Sequence, residues 1–237
     1  MADLIQIKKL SKIYNSGENE VRALDCVSLK IDTGEFVAII GQSGSGKSTL
    51  MNMLGLLDVP TQGDYFLKGQ NVAHLKDNDL AEIRNQEIGF IFQGFNLISN
   101  LTALGNVELP LVYRGMNKRE RRELSRQALK MVGLEDRLDH RPSEMSGGQQ
   151  QRVAIARAIA AAPPVILADE PTGNLDSKST KEIMKILRKL HEDGRTVIMI
   201  THDDEIADSA NRIIRILDGE IVADETNKHL DKGETEL

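Results

Sequence analysis

The sequence predicts an α/β fold, a mixed sheet core that carries an N-terminal antiparallel β subdomain and is interrupted by a helical insertion. Three observations predict it. Phe36–Ile40 and Val165–Ala168 are continuously apolar, as expected for strands covered on both faces of a largely parallel sheet. Leu4–Tyr14 and Val27–Ile31 are partly or cleanly alternating, which suits half-exposed, antiparallel strands. Between Asn96 and Ala161 the strand signal fades and two helical segments replace it.

Taken in order, Leu4–Tyr14 reads as a strand. In the second strand Val27, Leu29 and Ile31 alternate with Ser28 and Lys30. Gly34-Glu35 turns the chain into the buried strand Phe36–Ile40. A glycine loop, Gly41–Gly46, leads to an apolar helix near Ser48–Leu57. Pro60–Gly63 is a turn, Asp64–Lys68 a short strand stopped by Gly69, Asp79–Gln86 a polar helix and Ile88–Phe92 another strand. Helices follow at Lys118–Val132 and Gln149–Ala161. After the strand Val165–Ala168, Ser179–His191 is a helix with Ile183, Ile186, Leu187 and Leu190 on one stripe. Gly194 ends it. Thr196–Ile200 is β-branched at four of five positions, a strand composition. Ile213–Leu217 and Glu220–Ala223 flank Asp218-Gly219, a hairpin signal. The expected organisation is one domain: a core of residues 1–95 and 162–223, a helical subdomain of residues 96–161, and a polar, weakly packed tail of residues 224–237.

Bulk properties exclude several classes. With 237 residues there is room for one full core but not for two large domains. The formal net charge of -6 argues against broad nucleic-acid binding. Aromatic residues at 3%, with no tryptophan, argue against a base-stacking single-strand surface. Cys26 is the only cysteine, so no internal disulfide or thiolate zinc cluster forms; it reads as a small buried hydrophobe. The N-terminus lacks the basic stretch and apolar run of a secretory signal, and charged or polar residues break every long apolar segment. Work at a membrane would therefore need a partner. Lys118–Glu123 interleaves bases with acids and reads as a solvated helix face.

The sharpest motif is Gly41-Gln42-Ser43-Gly44-Ser45-Gly46-Lys47-Ser48-Thr49, a full phosphate-loop pattern between a buried strand and a helix. Its glycines let backbone N–H groups converge on an anion, and the helix start adds positive potential. Lys47 can reach terminal phosphates and the Ser48 hydroxyl can ligate Mg²⁺. Asp169 ends an apolar strand, where an acid is costly without a partner such as Mg²⁺. Glu170 follows and suits a base that orients or deprotonates water.

A second glycine motif, Met145-Ser146-Gly147-Gly148-Gln149, runs into Gln150–Ala158. With it the chain resembles the ABC transporter ATPase family over about Leu4–Ala223. The resemblance implies ATP and Mg²⁺ as ligands and a homodimer in the ATP-bound state. Ser146, Gly147, Gly148 and Gln149 would bind the ATP held by the opposite copy, with Ser146 and Gly148 presented to its γ-phosphate, so one chain alone completes no site. It further implies that Tyr14 stacks on adenine and that Gln93 senses Mg²⁺ and water. In Asn174-Leu175-Asp176 the implied role is crossing the dimer interface, with Asp176 at the site; many members carry serine-alanine near Asn174-Leu175. His202 would contact the γ-phosphate. Glu170, His202, Lys47 and Gln93 form the implied catalytic set; Ser48, Gln93 and Asp169 the metal set. Met145 replaces the usual leucine, a change of little volume.

Gly55–Asp58 with Pro60-Thr61, Gly89–Leu97, Thr102–Pro110 and Ala168–Asp176 resemble one branch of that family, the ATPases of lipoprotein-release, macrolide-export and antimicrobial-peptide resistance systems. That branch implies permease partners with a large extracytoplasmic domain, a place on the cytoplasmic face of the cell membrane, and a permease helix received around Gln93–Leu101. A division-type complex that regulates cell-wall hydrolases without transport would use the same residues. DNA-associated relatives insert coiled coils or zinc modules, which this chain lacks, and a module without turnover would not need Glu170 and His202.

Overall fold

The computed structural model describes residues 3–15, 17 and 20–227. The first half of the chain holds strands β1 (Asp3–Tyr14), β2 (Val21–Asp32) and β3 (Phe36–Ile40), helix α1 (Lys47–Leu54), strands β4 (Gln62–Leu67) and β5 (Gln70–Asn71), helix α2 (Asp77–Glu87) and strand β6 (Ile88–Phe92). Helices α3 (Ala103–Tyr113), α4 (Lys118–Met131) and α5 (Gly147–Ile159) follow. The chain closes with β7 (Val165–Asp169), α6 (Ser177–Glu192), β8 (Thr196–Thr201), α7 (Asp204–Ala207), β9 (Arg212–Leu217) and β10 (Glu220–Thr226).

Two sheets result. An antiparallel sheet has the order β2-β1-β4-β5, and a six-stranded sheet the order β10-β9-β3-β8-β7-β6. The second is parallel from β9 to β6, with β10 antiparallel at one edge. The unbroken apolar run of β3 follows from its central place. Phe36, Ala38 and Ile40 enter a core beneath α3, α5 and α6. Val37 and Ile39 enter a second core with β1, β2 and α1. Each fully buried aliphatic side chain contributes about 1.5–3 kcal/mol, so both faces resist any change of register in β3.

Strand register aligns the ends of the central strands. Ile40 pairs with Thr201, Asp169 with Ile200 and Phe92 with Asp169. The C-terminal ends of β3, β8, β7 and β6 therefore stand side by side, and whatever leaves those ends shares one crevice.

Several expectations change. Helix α3 is an addition to the expected elements, and it forms although Gly105, Asn106 and Pro110 disfavour a helix in isolation. Thr102 caps it, accepting from Gly105 N at 3.1 Å. Buried Asn106 exchanges bonds with Ile98 N at 2.7 Å and O at 3.1 Å, so its polarity is spent on the preceding loop. The short β5 and α7 are also additional. Cys26 is exposed rather than buried. The strand pairing skips from Leu10↔Val27 to Lys12↔Leu24, and this irregularity gives Cys26 a φ of 49° and turns it outward. Nor does the polar tail begin at 224. Strand β10 continues to Thr226, pinned where Arg212 grips Asp224 with two bonds of 2.7 Å. Residues 228–237 lie outside the described residues. The Asp218-Gly219 turn has φ of 47° and 82°, as a tight hairpin requires. No helix among the described residues is long and apolar enough to cross a membrane.

Candidate functional site

The loop that leaves β3 is shaped by close approach. At Gly46, φ is 103° and a Cβ would lie 2.5 Å from Ala23 O. At Gly41 a Cβ would collide with Ile216 O. Gly44, φ 81°, has open space around it. Left-handed glycines of this kind turn successive N–H groups toward one concavity, and α1 begins there with its unpaired N–H groups. Lys47 Nζ donates to Gly41 O at 2.6 Å and Gln42 O at 2.7 Å, which bridges the loop. Gln42, Ser43 and Ser48 are exposed, while Lys47 and Thr49, in the first turn of α1, are half-buried. Ser45 is different: it is buried, and its unpartnered hydroxyl faces the Gly41 backbone.

Asp169 and Glu170 leave the end of β7. Burial pushes the Asp169 carboxyl up, neighbouring Glu170 adds to this, and Lys47 offsets part of it. Glu170 sits at φ 45° with its N–H bonded to Ile200 O at 2.9 Å. Its carboxylate lies 2.6 Å from His202 Nδ1 and accepts from Thr201 Oγ1 at 3.4 Å. The hydrogen bond to Glu170, followed by its charge, raises His202. Lys47 thus acts electrostatically on both Asp169 and His202. Gln93 follows β6, and it and Asn174 bond reciprocally: Gln93 Nε2 to Asn174 Oδ1 at 3.3 Å, Asn174 Nδ2 to Gln93 O at 3.1 Å.

Ser146 caps α5. Its hydroxyl accepts from Gln149 N at 3.3 Å and Gln149 Oε1 accepts from Ser146 N at 2.9 Å. Gly147 lies against Leu175 and Phe95, and Gly148 against Ser179. Asp176 caps α6, accepting from Ser179 N and Oγ, both at 2.9 Å; these bonds hold its carboxyl below the ordinary range. Among the described residues no hydrogen bond joins Ser146–Gln149 to Gly41–Thr49. Tyr14, at the end of β1, donates to Asp58 Oδ2 at 3.0 Å and lies close to Thr49.

Sequence reasoning missed the connecting residues. Gln151 is buried and donates to Pro171 O at 2.6 Å and Phe92 O at 3.3 Å, tying α5 to the ends of β7 and β6. Arg157 donates to Asn96 O at 2.6 Å and Phe95 O at 2.9 Å, fixing the segment beyond Gln93. A cation among Val153–Ala158 was the available signal. Asp58 and Lys12 carried none.

The residues suit Mg²⁺ bound with phosphate. Asp169 is a half-buried carboxyl pressed by a second acid, a place where a cation lowers the cost of ionisation. No three His, Cys, Asp or Glu side chains among the described residues converge on a metal position. A cation held by Ser48, Gln93 and Asp169 would complete its shell with phosphate and water oxygens, the usual habit of Mg²⁺.

Comparison with known proteins gives the family and the fold. A family model described as ABC transporter matches residues 24–173. The macrolide export ATP-binding/permease protein MacB of Hyphomonas neptunium is 55% identical over 225 residues, covering 95% of this chain and 35% of that protein. The chain therefore spans about a third of such relatives. An uncharacterized ABC transporter ATP-binding protein of Thermotoga maritima is 52% identical, covering 93% of this chain and 94% of its own length. Among solved structures, a dimeric post-hydrolysis state of the ATP-binding cassette MJ0796 bound to ADP and Pi superposes with a TM-score of 0.87 at 49% identity, covering 94% of this chain and 99% of that one. A second dimeric structure of MJ0796 gives the same TM-score of 0.87 at 50% identity.

Proposed function

The chain belongs to the ABC transporter family as one of its ATP-binding, ATP-hydrolysing subunits, and from that premise we propose that two copies close head to tail on two ATP molecules to drive a membrane permease. The observation that carries this reading is the separation of two half-sites. Lys47, Asp169, Glu170 and His202 gather at adjacent strand ends, whereas Ser146–Gln149 opens a different helix that no hydrogen bond among the described residues joins to the phosphate loop. A second copy supplies what one copy keeps apart.

In this mechanism the Gly41–Thr49 loop and Lys47 bind the phosphates, with Tyr14 under the base. Ser48, Gln93 and Asp169 would hold Mg²⁺, which neutralises charge on the phosphate oxygens. Glu170 orients the attacking water and takes its proton. His202 keeps that carboxylate in place and faces the γ-phosphate. Ser146 and the N–H groups of Gly147, Gly148 and Gln149 meet the γ-phosphate from the other copy, a helix start receiving an anion. Asp176 and Asn174 lie at the seam and report its closure to Gln93.

The partner we propose is an integral permease with a large extracytoplasmic domain, so this subunit works on the cytoplasmic face of the membrane. The resemblance to macrolide export ATP-binding/permease proteins supports a role in export. A groove of about 1170 Å³, lined by Leu57, Phe90, Phe92, Asn96, Pro110 and Tyr113, offers an apolar seat for a permease helix. It lies beside the Gln93–Leu101 segment and shares Asn96 with it.

The test is the Glu170→Gln variant of the whole chain. With Mg-ATP it should lose at least about 100-fold in turnover, within the usual range for removing a general base, and should run as a dimer in light scattering. Persistent hydrolysis, or a monomer under saturating ATP, would sink the proposal. Mass spectrometry of membrane proteins crosslinked to the same variant should recover the permease.

A further inference from the structure

Tyr14 has a support that the nucleotide reading does not explain. Its phenol donates to Asp58 Oδ2 at 3.0 Å. The other carboxylate oxygen accepts from Lys12 Nζ at 2.7 Å and from Val59 N at 2.8 Å. Lys12 also donates to Val59 O at 2.8 Å, and its ammonium lies 5.0 Å from the centre of the Tyr14 ring. The Lys12 side chain is only 12% exposed and that of Asp58 29%, so the trio is partly shielded from water. Lys12 and Tyr14 are two apart on β1 and share a face. Asp58 comes just after α1, the helix that starts with the phosphate loop.

A tyrosine ring has two free torsions. A bond at its hydroxyl and a cation at one face remove both freedoms before any ligand arrives, and binding then loses less entropy. With Lys12 on one face, a base has the other. Burial, then the hydrogen bond and charge of Asp58, raise the Tyr14 phenol above its ordinary value, while Thr49 acts in the opposite sense, so the ring stays neutral. A neutral ring suits stacking beside a polyphosphate.

We infer that Asp58, charge-balanced by Lys12, is the positioning residue that sets the Tyr14 ring as the platform for the nucleotide's base, and so links base recognition to the far end of the phosphate-loop helix. This rests on the reading of Tyr14 as the base partner in an ATP-binding subunit.

The experiment compares Mg-ADP with Mg-pyrophosphate by calorimetry on the whole chain, so that neither hydrolysis nor ATP-driven dimerisation intervenes. Stacking of about 1–3 kcal/mol per base makes Tyr14→Ala weaken ADP roughly tenfold. Asp58→Ala should weaken ADP about three- to tenfold, leave pyrophosphate unchanged, and add nothing in the Tyr14→Ala background. Asp58→Asn, which can still accept from the phenol, should recover most of the loss. Parallel loss of ADP and pyrophosphate would reduce Asp58 to a support for α1 and overturn the inference. Unchanged ADP affinity, or losses that add to those of Tyr14→Ala, would overturn it as well. If Tyr14→Ala costs nothing, the base-platform reading of Tyr14 falls and this inference with it; if the wild-type chain binds neither ligand, the nucleotide reading itself fails.

Discussion

Glu170 occupies a left-handed conformation, φ 45°, that costs a non-glycine residue roughly 1–2 kcal/mol. Its N–H bond to Ile200 O and its carboxylate bonds to His202 and Thr201 hold it there. The pair with His202 has a pH signature. Glu170 raises His202 above its ordinary 6.5. The imidazolium's contribution to stability is therefore fully present below about 6.5 and fades as pH rises through the higher folded value. In a histidine NMR titration, Glu170→Gln should move His202 back down toward 6.5; no movement would mean the contact is not populated. Asp169 has the opposite logic for a carboxylate, since burial and Glu170 raise it. Its ionised form burdens the free subunit at neutral pH. Asp169→Asn should raise Tm by about 2 °C, as a gain of roughly 0.5–1 kcal/mol does in a domain of this size, while Mg-dependent turnover collapses. A lower Tm would show that the carboxylate is stabilising instead. Residues with a local signature, such as Lys47 and Asp169, were legible in the sequence. Gln151, Arg157 and Asp58 were not, because their partners are backbone groups or side chains distant in the chain, as with Tyr14 and Asp58, 44 positions apart.

Helix α5 meets α6 where Gly148 faces Ser179. A Cβ at 148 would lie 2.5 Å from Ser179 Oγ and 2.9 Å from its Cβ. Gly148→Ala gains about 1 kcal/mol of helix propensity and should still destabilise, because overpacking costs about 1–3 kcal/mol. Adding Ser179→Gly removes both clashing atoms and should return most of the lost Tm and ATP-dependent dimerisation; no rescue would place the defect elsewhere. Arg114 joins two other helix ends. It donates to Asn85 O, Gln86 O at 2.9 Å and Ala161 O at 2.9 Å, at the C-termini of α2 and α5, from its place just beyond α3. Arg114→Ala leaves those carbonyls without their donor, an expected loss of about 1–3 kcal/mol in chemical denaturation. Arg114→Lys should recover little, since one ammonium cannot span the fork. Strands and the amphipathic α6 were legible from periodicity. Helix α3 was not, because Asn106 and Pro110 act as breakers until the loop at Ile98–Thr102 gives Asn106 its partners.

For the molecule as a whole, the six-stranded order brings four strand ends together, and this could not be read from local pattern because β3 pairs with β8 and β9 across more than half the chain. The same order leaves two edges, and they are treated differently. Strand β10 carries Glu220 and Glu225 beside the Arg212-paired Asp224, so two such edges repel. Strand β6 is apolar, and its Ile88, Phe90 and Phe92 line the groove proposed for the permease, where Tyr113 stands 77% exposed. Tyr113→Ala should weaken capture of the detergent-solubilised permease several-fold, as loss of an aromatic anchor does, with hydrolysis by the free subunit unchanged. Equal capture by both forms would move the docking site elsewhere. An apolar strand at the margin of a sheet is also what chaperones and proteases meet in incompletely folded chains. A copy made in excess of its membrane partner keeps the groove beside that strand, with Tyr113 exposed at it, on view, so the ratio in which the two subunits are synthesised becomes a matter of survival for this one.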